Sequence, residues 1–350
     1  MTVGEVGERQ VIARVRARVP ASPAFVVVGI GDDAAVLEPA RNRLDIVTTD
    51  AAVEGVHFDR RFMDAGAIGH RALAANLSDL AAMGAEPRTA LLSLILPDAL
   101  PLADLDAMLD AFLALAARTG THLVGGNVTR SPGPLVIDVM LSGTAKRRKV
   151  LTRAGGRPGD ELFVSGSVGG AAAGLAWLQH AGPTREGHDA AGDAAIADAV
   201  GRFLRPEPRL RLGLLAGRTR AASAAMDLSD GLADAVRQLA AASGTGARID
   251  ATALPVHPGV AAVAGGDPEA VLATALAGGE DYELLLAVPR KAGRRFAAAA
   301  RLAHIAVTRI GALTPASAGL TLASPAGDRP IPEGFEHFRA PVAVISGPVR

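Results

Sequence analysis

Five short stretches of this chain put acidic side chains where a charge is hard to accommodate. Asp32 and Asp33 follow Gly31 in VVVGIGDDAAVLEP, and Asp50 follows Thr48-Thr49 after an apolar run. Asp79 falls inside a largely apolar helical pattern, Asp227 and Asp230 flank Ser229, and Glu280-Asp281 follow Gly278-Gly279. An unpaired carboxylate in apolar or Gly-rich surroundings is costly. A hard divalent cation relieves that cost. Mg²⁺ takes oxygen ligands, keeps several waters and is typically shared between carboxylates and substrate phosphates. Each stretch taken alone also suits a turn or a helix cap. Asp79 suits one least, because Asp is a poor residue for a helix interior. Taken together, the stretches point to a common polyphosphate–metal site.

The device that would hold the phosphates is not a standard one. No G-x-x-x-x-G-K-[ST] occurs, so the chain has no P-loop. Gly29-Ile30-Gly31 lacks the third glycine of a dinucleotide fingerprint, and Asp32-Asp33 would repel a pyrophosphate without metal. Phosphate is therefore expected to be held through cations, helped by side chains such as Arg153. His57, in VEGVHF, suits either a packed or capping histidine or a contact to a substrate phosphate. His70, His122 and His304 show no pairing pattern and read as structural.

Composition narrows the class. The 350 residues suffice for two domains, and with 49% hydrophobic but only 3% aromatic residues the core must be aliphatic. Lys+Arg and Asp+Glu are both 36, and no basic stripe with interleaved aromatics occurs, so nucleic acid is not an expected partner. The run Lys146-Arg147-Arg148-Lys149 reads as a solvated turn. One Trp and one Tyr cannot build a stacking platform. The absence of Cys excludes disulfides, thiolate metal sites and Cys nucleophiles, and fits a cytoplasmic setting. The N-terminus lacks an apolar signal segment, and no run of 18 apolar residues predicts a membrane span.

Elements alternate to position these groups. Phe25 to Val28 and Leu44 to Thr48 read as strands. Residues 67–83 form a helical pattern through Ile68, Leu73, Leu77 and Leu80, with a stop at Gly84. Thr89 to Leu96 is an apolar strand, Asp104 to Arg118 an amphipathic helix, and Leu135 to Leu141 another strand. A boundary is expected near Val150 to Pro158, dividing the chain into 1–150 and 151–340, with a tail at 341–350. Beyond it come a helix over 169–180, a surface insertion over 181–195, a strand before Asp230, a helix over 231–242, and a strand after Glu280. From Thr314 the pattern reads as a Pro-rich tail. Asn76-Leu-Ser-Asp79-Leu80 and Asp227-Leu-Ser-Asp230-Gly-Leu232 echo each other, suggesting duplicated architecture or two similar helix starts.

The stretches GIGDDAAVL, TTDAAVEGVHF, NLSDLAAMGAEP, GGNVTRSP, LTRAGGRPGDELFVSG, RPEPR, MDLSDGL and GGEDYELLLAVP occur in order over 29–289. As a set they resemble the thiamine-monophosphate kinases of the AIR synthase-like superfamily. The resemblance implies a two-domain α/β fold. In it, residues 1–150 bind ATP and Mg²⁺ and form a homodimer around a β-barrel, and a C-terminal α/β domain covers the cleft. It implies transfer of the γ-phosphoryl of ATP to thiamine monophosphate. Matched motif by motif, it implies ligands of several Mg²⁺ ions at Asp33, Thr48, Thr49, Asp50, Asp79, Asn127, Asp227 and Asp230. It implies ATP contacts at Gly126, Asn127, Arg153 and Ser229, and thiamine-side contacts at His57, Glu280 and Phe335. Asn127 departs from the family, which commonly carries a metal-binding Asp there; the amide supplies only a neutral carbonyl. No covalent nucleophile is implied, because the acceptor is itself a phosphate. Related superfamily members, such as a purine-pathway cyclo-ligase, and a non-catalytic nucleotide-binding homologue are the alternative readings. The lack of Cys argues against a selenophosphate synthetase.

Overall fold

The computed structural model describes residues 1–181 and 194–333. The chain divides into two compact units: residues 1–80 with 85–148, and residues 81–84 with 149 onward.

The N-terminal unit runs α1 (Val3–Val6), α2 (Glu8–Arg18), β1 (Val26–Val28), β2 (Val36–Leu37), β3 (Leu44–Val53), α3 (Ala65–Ala82), β4 (Glu86–Pro97), α4 (Leu102–Thr119), β5 (His122–Ser131) and β6 (Val136–Ala145). Its main sheet has the order β3-β6-β4-β5, with only β4 and β5 parallel. One face of this sheet is buried. Leu92, Leu94, Leu96, Ile137, Val139 and Leu141 alternate into a core with Ile68, Leu73, Leu77 and Leu80 of α3 and Leu105, Leu109 and Phe112 of α4. The close approach of α3 to α4 depends on Gly69, where a Cβ would lie 2.0 Å from the Met108 carbonyl oxygen. The other face carries Val47 (58% exposed) and the exposed Thr49 and Ala51. Among the described residues this sheet is open, not closed into a barrel.

The C-terminal unit runs β7 (Glu161–Ser165), α5 (Gly170–Ala181), α6 (Ala194–Leu204), α7 (Leu210–Thr219), β8 (Ala224–Asp227), α8 (Leu232–Ser243), β9 (Thr245–Asp250), α9 (Pro258–Val263), α10 (Pro268–Ala277), β10 (Leu284–Val288), α11 (Arg290–Leu302), β11 (Val307–Pro315), β12 (Leu320–Ala323) and β13 (Arg329–Pro330). Its sheet order is β13-β12-β9-β11-β7-β10-β8. Helices cover both faces. Leu162, Val164, Met226 and Leu285 pack with Leu232, Val236 and Leu239 of α8. Phe163, Ala225, Leu284 and Leu286 pack with Leu212 and Ala216 of α7 and Phe296 of α11. Burial on both faces is why β7, β8 and β10 read as continuous apolar runs rather than alternating ones.

Two sequence expectations change here. Over its described part, 314–333, the segment from Thr314 is not a tail: β11 extends to Pro315, and β12 and β13 complete the sheet edge, with β12 parallel to β9. Pro315 sits at the end of β11 and Pro330 on the edge strand β13, where a missing N–H is tolerated. The two N/D-L-S-D echoes are not equivalent either. Asn76 and Asp79 lie inside α3, whereas Asp227 ends β8 and Asp230 precedes α8. The insertion expected over 181–195 falls largely outside the described residues, as does the tail at 341–350.

Candidate active site

In the N-terminal unit the pleat of β3 sorts the predicted ligands. Adjacent strand residues point to opposite faces, so Thr48 and Asp50 share the helix-covered side and Thr49 takes the other. The Thr48 Oγ1 donates to Asp79 Oδ2 at 2.5 Å, which ties β3 to α3. Thr49 Oγ1 donates instead to Asp138 Oδ1 at 3.1 Å. The two threonine hydroxyls therefore serve different sites. Asn127 is abreast of Ser93, which is abreast of Asp138, whereas Asp50 is abreast of Val139. Asn127 and Asp50 thus occupy opposite edges and opposite faces of one sheet, three strand spacings or roughly 14 Å apart. Gly126 precedes Asn127 on β5 and lies directly beside Leu92 of β4.

Asp32 and Asp33 lie exposed after Gly31, with the Asp33 amide donating to Asp32 Oδ1 at 2.9 Å. Arg16 of α2 brings a positive charge to this turn. Its guanidinium lies so close to Gly31 that a Cβ there would be 2.9 Å from Arg16 Cζ. His57 sits in a tight turn after β3. Its amide donates to the Val53 carbonyl at 2.9 Å, and its Nδ1 accepts the Val53 N–H at 3.1 Å. With Nδ1 accepting, Nε2 is the ring nitrogen left to donate. In α3, Asn76 is fully buried; its Nδ2 donates to the Ala72 carbonyl, but its Oδ1 has no partner. This orphan acceptor lies one helical turn before Asp79.

In the C-terminal unit the structure brings four predicted residues together. Asp227 is abreast of Leu284 in the β8–β10 ladder. Beyond the ladder, the 228–230 loop and the 278–283 loop continue to pair. Leu228 N donates to the Glu283 carbonyl at 2.8 Å, Tyr282 N to the Leu228 carbonyl at 3.1 Å, and Glu280 N to the Ser229 carbonyl at 2.6 Å. Asp227, Ser229, Asp230 and Glu280 therefore share one end of the sheet. Gly279 permits this approach, since a Cβ would lie 2.7 Å from the Ser229 carbonyl oxygen. Arg153 is exposed, and its Nη1 donates to Gln238 Oε1 of α8 at 2.6 Å. Phe335 lies outside the described residues.

Two buried carboxylates flank this loop. Asp281 Oδ2 accepts the Gly169 N–H at 2.6 Å and Oδ1 the Ala171 N–H at 2.9 Å, capping α5. Burial pushes its pKa up to about 7, and the neighbouring Glu283 adds to the rise, against those two amides and Arg202. Glu283 is fully buried and receives both prongs of Arg209, Nε at 2.6 Å and Nη2 at 2.5 Å, plus Ser165 Oγ at 2.5 Å. Burial opposes the charge on Arg209, but its bonds to Glu283 more than compensate and raise its pKa.

Among the described residues, no three His, Asp or Glu side chains already converge as a metal cage. The donor set is nonetheless the one Mg²⁺ prefers: carboxylate, hydroxyl and amide oxygens, few per site, with coordination left for water and phosphate. The orphaned Asn76 Oδ1 of α3 and the oxygens of the Thr48–Asp79 contact are donors of the kind such an ion takes.

Residues 31–145 match the family AIR synthase related protein, N-terminal domain, and residues 157–321 match its C-terminal domain. The chain is 38% identical over 340 residues to the thiamine-monophosphate kinase of Escherichia coli (strain K12), covering 96% of this chain and 99% of that protein. The chain belongs to the thiamine-monophosphate kinase family. Solved structures agree. The thiamine-monophosphate kinase from Stenotrophomonas maltophilia K279a is 35% identical, with a TM-score of 0.77 over 90% of this chain and 94% of that one. The structure of AaThiL complexed with AMPPCP and TMP is 30% identical, with a TM-score of 0.74 over 97% and 99%.

Membership in the thiamine-monophosphate kinase family sharpens what the sequence reading overlooked. Asp138 interrupts an apolar strand, VIDVML, and that interruption was a usable signal. Glu283 sits three residues after Glu280 in GGEDYEL and was equally visible. Arg16 and Asn76 carried no such signal, because their roles depend on which element folds against them.

Proposed function

We propose that this chain transfers the γ-phosphoryl group of ATP to thiamine monophosphate, giving thiamine diphosphate and ADP. Family membership supplies the substrates. The observation that carries the reading is the Glu280–Ser229 backbone bond, which joins an acceptor-side residue to a nucleotide-side loop. The acceptor phosphate is already a nucleophile at neutral pH, so transfer is direct and in line, with no covalent enzyme intermediate. Asp33, Thr48, Thr49, Asp50, Asp79, Asp227 and Asp230 hold Mg²⁺. Bound Mg²⁺ supplies charge neutralisation that lets two polyanions approach. Gly126, Asn127, Ser229 and Arg153 bind ATP, with the Arg153 guanidinium oriented by Gln238. His57 offers its Nε2–H to the acceptor phosphate, and Glu280 and Phe335 contact the thiamine side. No general base is required of the protein.

The chain acts as a homodimer through the exposed face of β3-β6-β4-β5, which would complete a barrel. Val47 at 58% exposure supports this. So does the placement of Asn127, which could serve the ion of an Asp50 only if a second copy provides it. Among the described residues no helix is long and apolar enough to cross a membrane; the ATP requirement and the lack of Cys favour the cytoplasm.

The test is ADP release with thiamine monophosphate as acceptor, compared with thiamine and with a phosphorylated purine precursor. Turnover confined to thiamine monophosphate supports the reading, and ATP binding without turnover defeats it. With a chiral γ-phosphate, inversion is expected; retention would reveal a covalent intermediate.

A further inference from the structure

The RPEPR stretch belongs to none of the ligand sets above, yet its last arginine reaches the candidate site. Arg209 stands just before α7 and grips Glu283 with two hydrogen bonds. Glu283 ends the 278–283 loop and leads into β10, whose Leu284 N–H donates to Ser165 Oγ at 2.9 Å. Ser165 Oγ in turn donates to Glu283. Arg202 of α6 stands 3.6 Å from the same carboxylate and donates through Nε to Asp198 at 2.9 Å. Asp198 pairs with the buried His257 at 2.7 Å. One fully buried carboxylate therefore gathers β7, α6 and the residue leading into α7.

The loop it anchors is conformationally unfavourable. Glu280 has φ 69° and Tyr282 φ 49°. Left-handed backbone at two non-glycine residues in close succession persists only where surrounding contacts enforce it. Those contacts are the bonds of the Glu280 and Tyr282 N–H groups to the Ser229 and Leu228 carbonyls, flanked by the α5 cap by Asp281 on one side and the Arg209–Glu283–Ser165 cluster on the other. Between cap and cluster the Glu280 backbone is held against Ser229, its N–H donating to the Ser229 carbonyl at 2.6 Å.

We propose that Arg209 is a positioning residue: acting through Glu283, it holds the 278–283 loop in the shape that aims Glu280 at the acceptor. This rests on the reading of Glu280 as a thiamine-side contact. A planar, bidentate guanidinium suits the task, since it fixes the direction of the carboxylate as well as its charge.

The experiment compares Arg209→Met, Arg209→Lys and the double variant Arg209→Met/Glu283→Met, with Glu280→Ala as reference. The double variant removes the buried pair together and so avoids stranding a charge. It keeps the test open if Arg209→Met alone does not fold. Hydrogen exchange at the amides of Glu280 and Tyr282 should quicken by about tenfold or more relative to those of β10. The KM for thiamine monophosphate should rise about tenfold or more in the Met variants, less in Arg209→Lys, and adding Glu280→Ala should raise it little further. Unchanged exchange at those two amides overturns the proposal, as does a KM effect fully additive with Glu280→Ala. A normal KM in Glu280→Ala itself would instead sink the assignment of Glu280, whatever the exchange data show.

Discussion

Asp281→Asn isolates one buried carboxyl whose ionisation opposes folding. In the folded chain its pKa rises from the ordinary 3.8 to about 7, chiefly through burial and then through Glu283. Between these values the folded state binds a proton that the unfolded state releases. Stability from this group is therefore fully present below about pH 3.8, falls as pH rises, and levels off above about 7. At 1.36 kcal/mol per tenfold change in proton affinity, the full swing is about 4 kcal/mol. Asn cannot ionise, so the variant lacks the slope. It carries instead a pH-independent loss, since an amide accepts less well from the Gly169 and Ala171 N–H groups. Asp59, Asp198 and Asp250 have lowered pKa values, and their acid-range losses run the other way. They are common to both proteins and cancel in the difference. Trp177, the only tryptophan, lies on α5, the helix that Asp281 caps. Urea unfolding followed by its fluorescence at half-unit steps from pH 4.5 to 8 reads the relevant unit. The wild-type curve should lose stability relative to the variant by roughly 1 kcal/mol per pH unit below pH 7. Parallel curves would falsify the assignment of a neutral, buried Asp281.

Three further outcomes follow from the geometry. Asp79→Asn or Asp50→Asn should lower kcat by at least about a hundredfold at saturating ATP, and a folded variant with near wild-type turnover removes that residue from the metal site. Gly69→Ala should destabilise the N-terminal unit by about 3 kcal/mol through overpacking against Met108, measured as a lowered denaturation midpoint; an unchanged midpoint contradicts the helix crossing described. Asn127→Asp restores a carboxylate and should lower the Mg²⁺ concentration for half-maximal activity, with an unchanged or raised requirement placing residue 127 outside the metal shell.

Much of the fold was legible because it follows from local rules. Apolar spacing in α4 announced its buried face through Leu105, Met108, Leu109, Phe112 and Leu115, and Gly120 in the left-handed region ends it as a C-cap glycine should. The strands β8 and β10 were visible as the strands before Asp230 and after Glu280. Residues 314–330 were misread because Pro315 and Pro330 look like breakers, whereas one sits at the end of β11 and the other on the edge strand β13, where a missing N–H is tolerated. The paired N/D-L-S-D motifs misled for a related reason: four residues do not specify whether they lie within a helix or between a strand and a helix.

Sequence alone established the family, through the ordered motifs over 29–289, and set out the chemistry to expect. Oxygen-donor residues set in apolar and glycine-rich stretches, with no cysteine and no P-loop, called for a hard cation and phosphates, since residue type determines what a group can bind. Tertiary structure decided which groups cooperate. The pleat of β3 parts Thr48 from Thr49, the ladder sets Asn127 and Asp50 on opposite faces, and Arg209 reaches Glu283 across 74 positions of sequence. Such partnerships depend on register and on which elements pack together, and those are fixed by burial summed over the whole unit rather than by any local stretch.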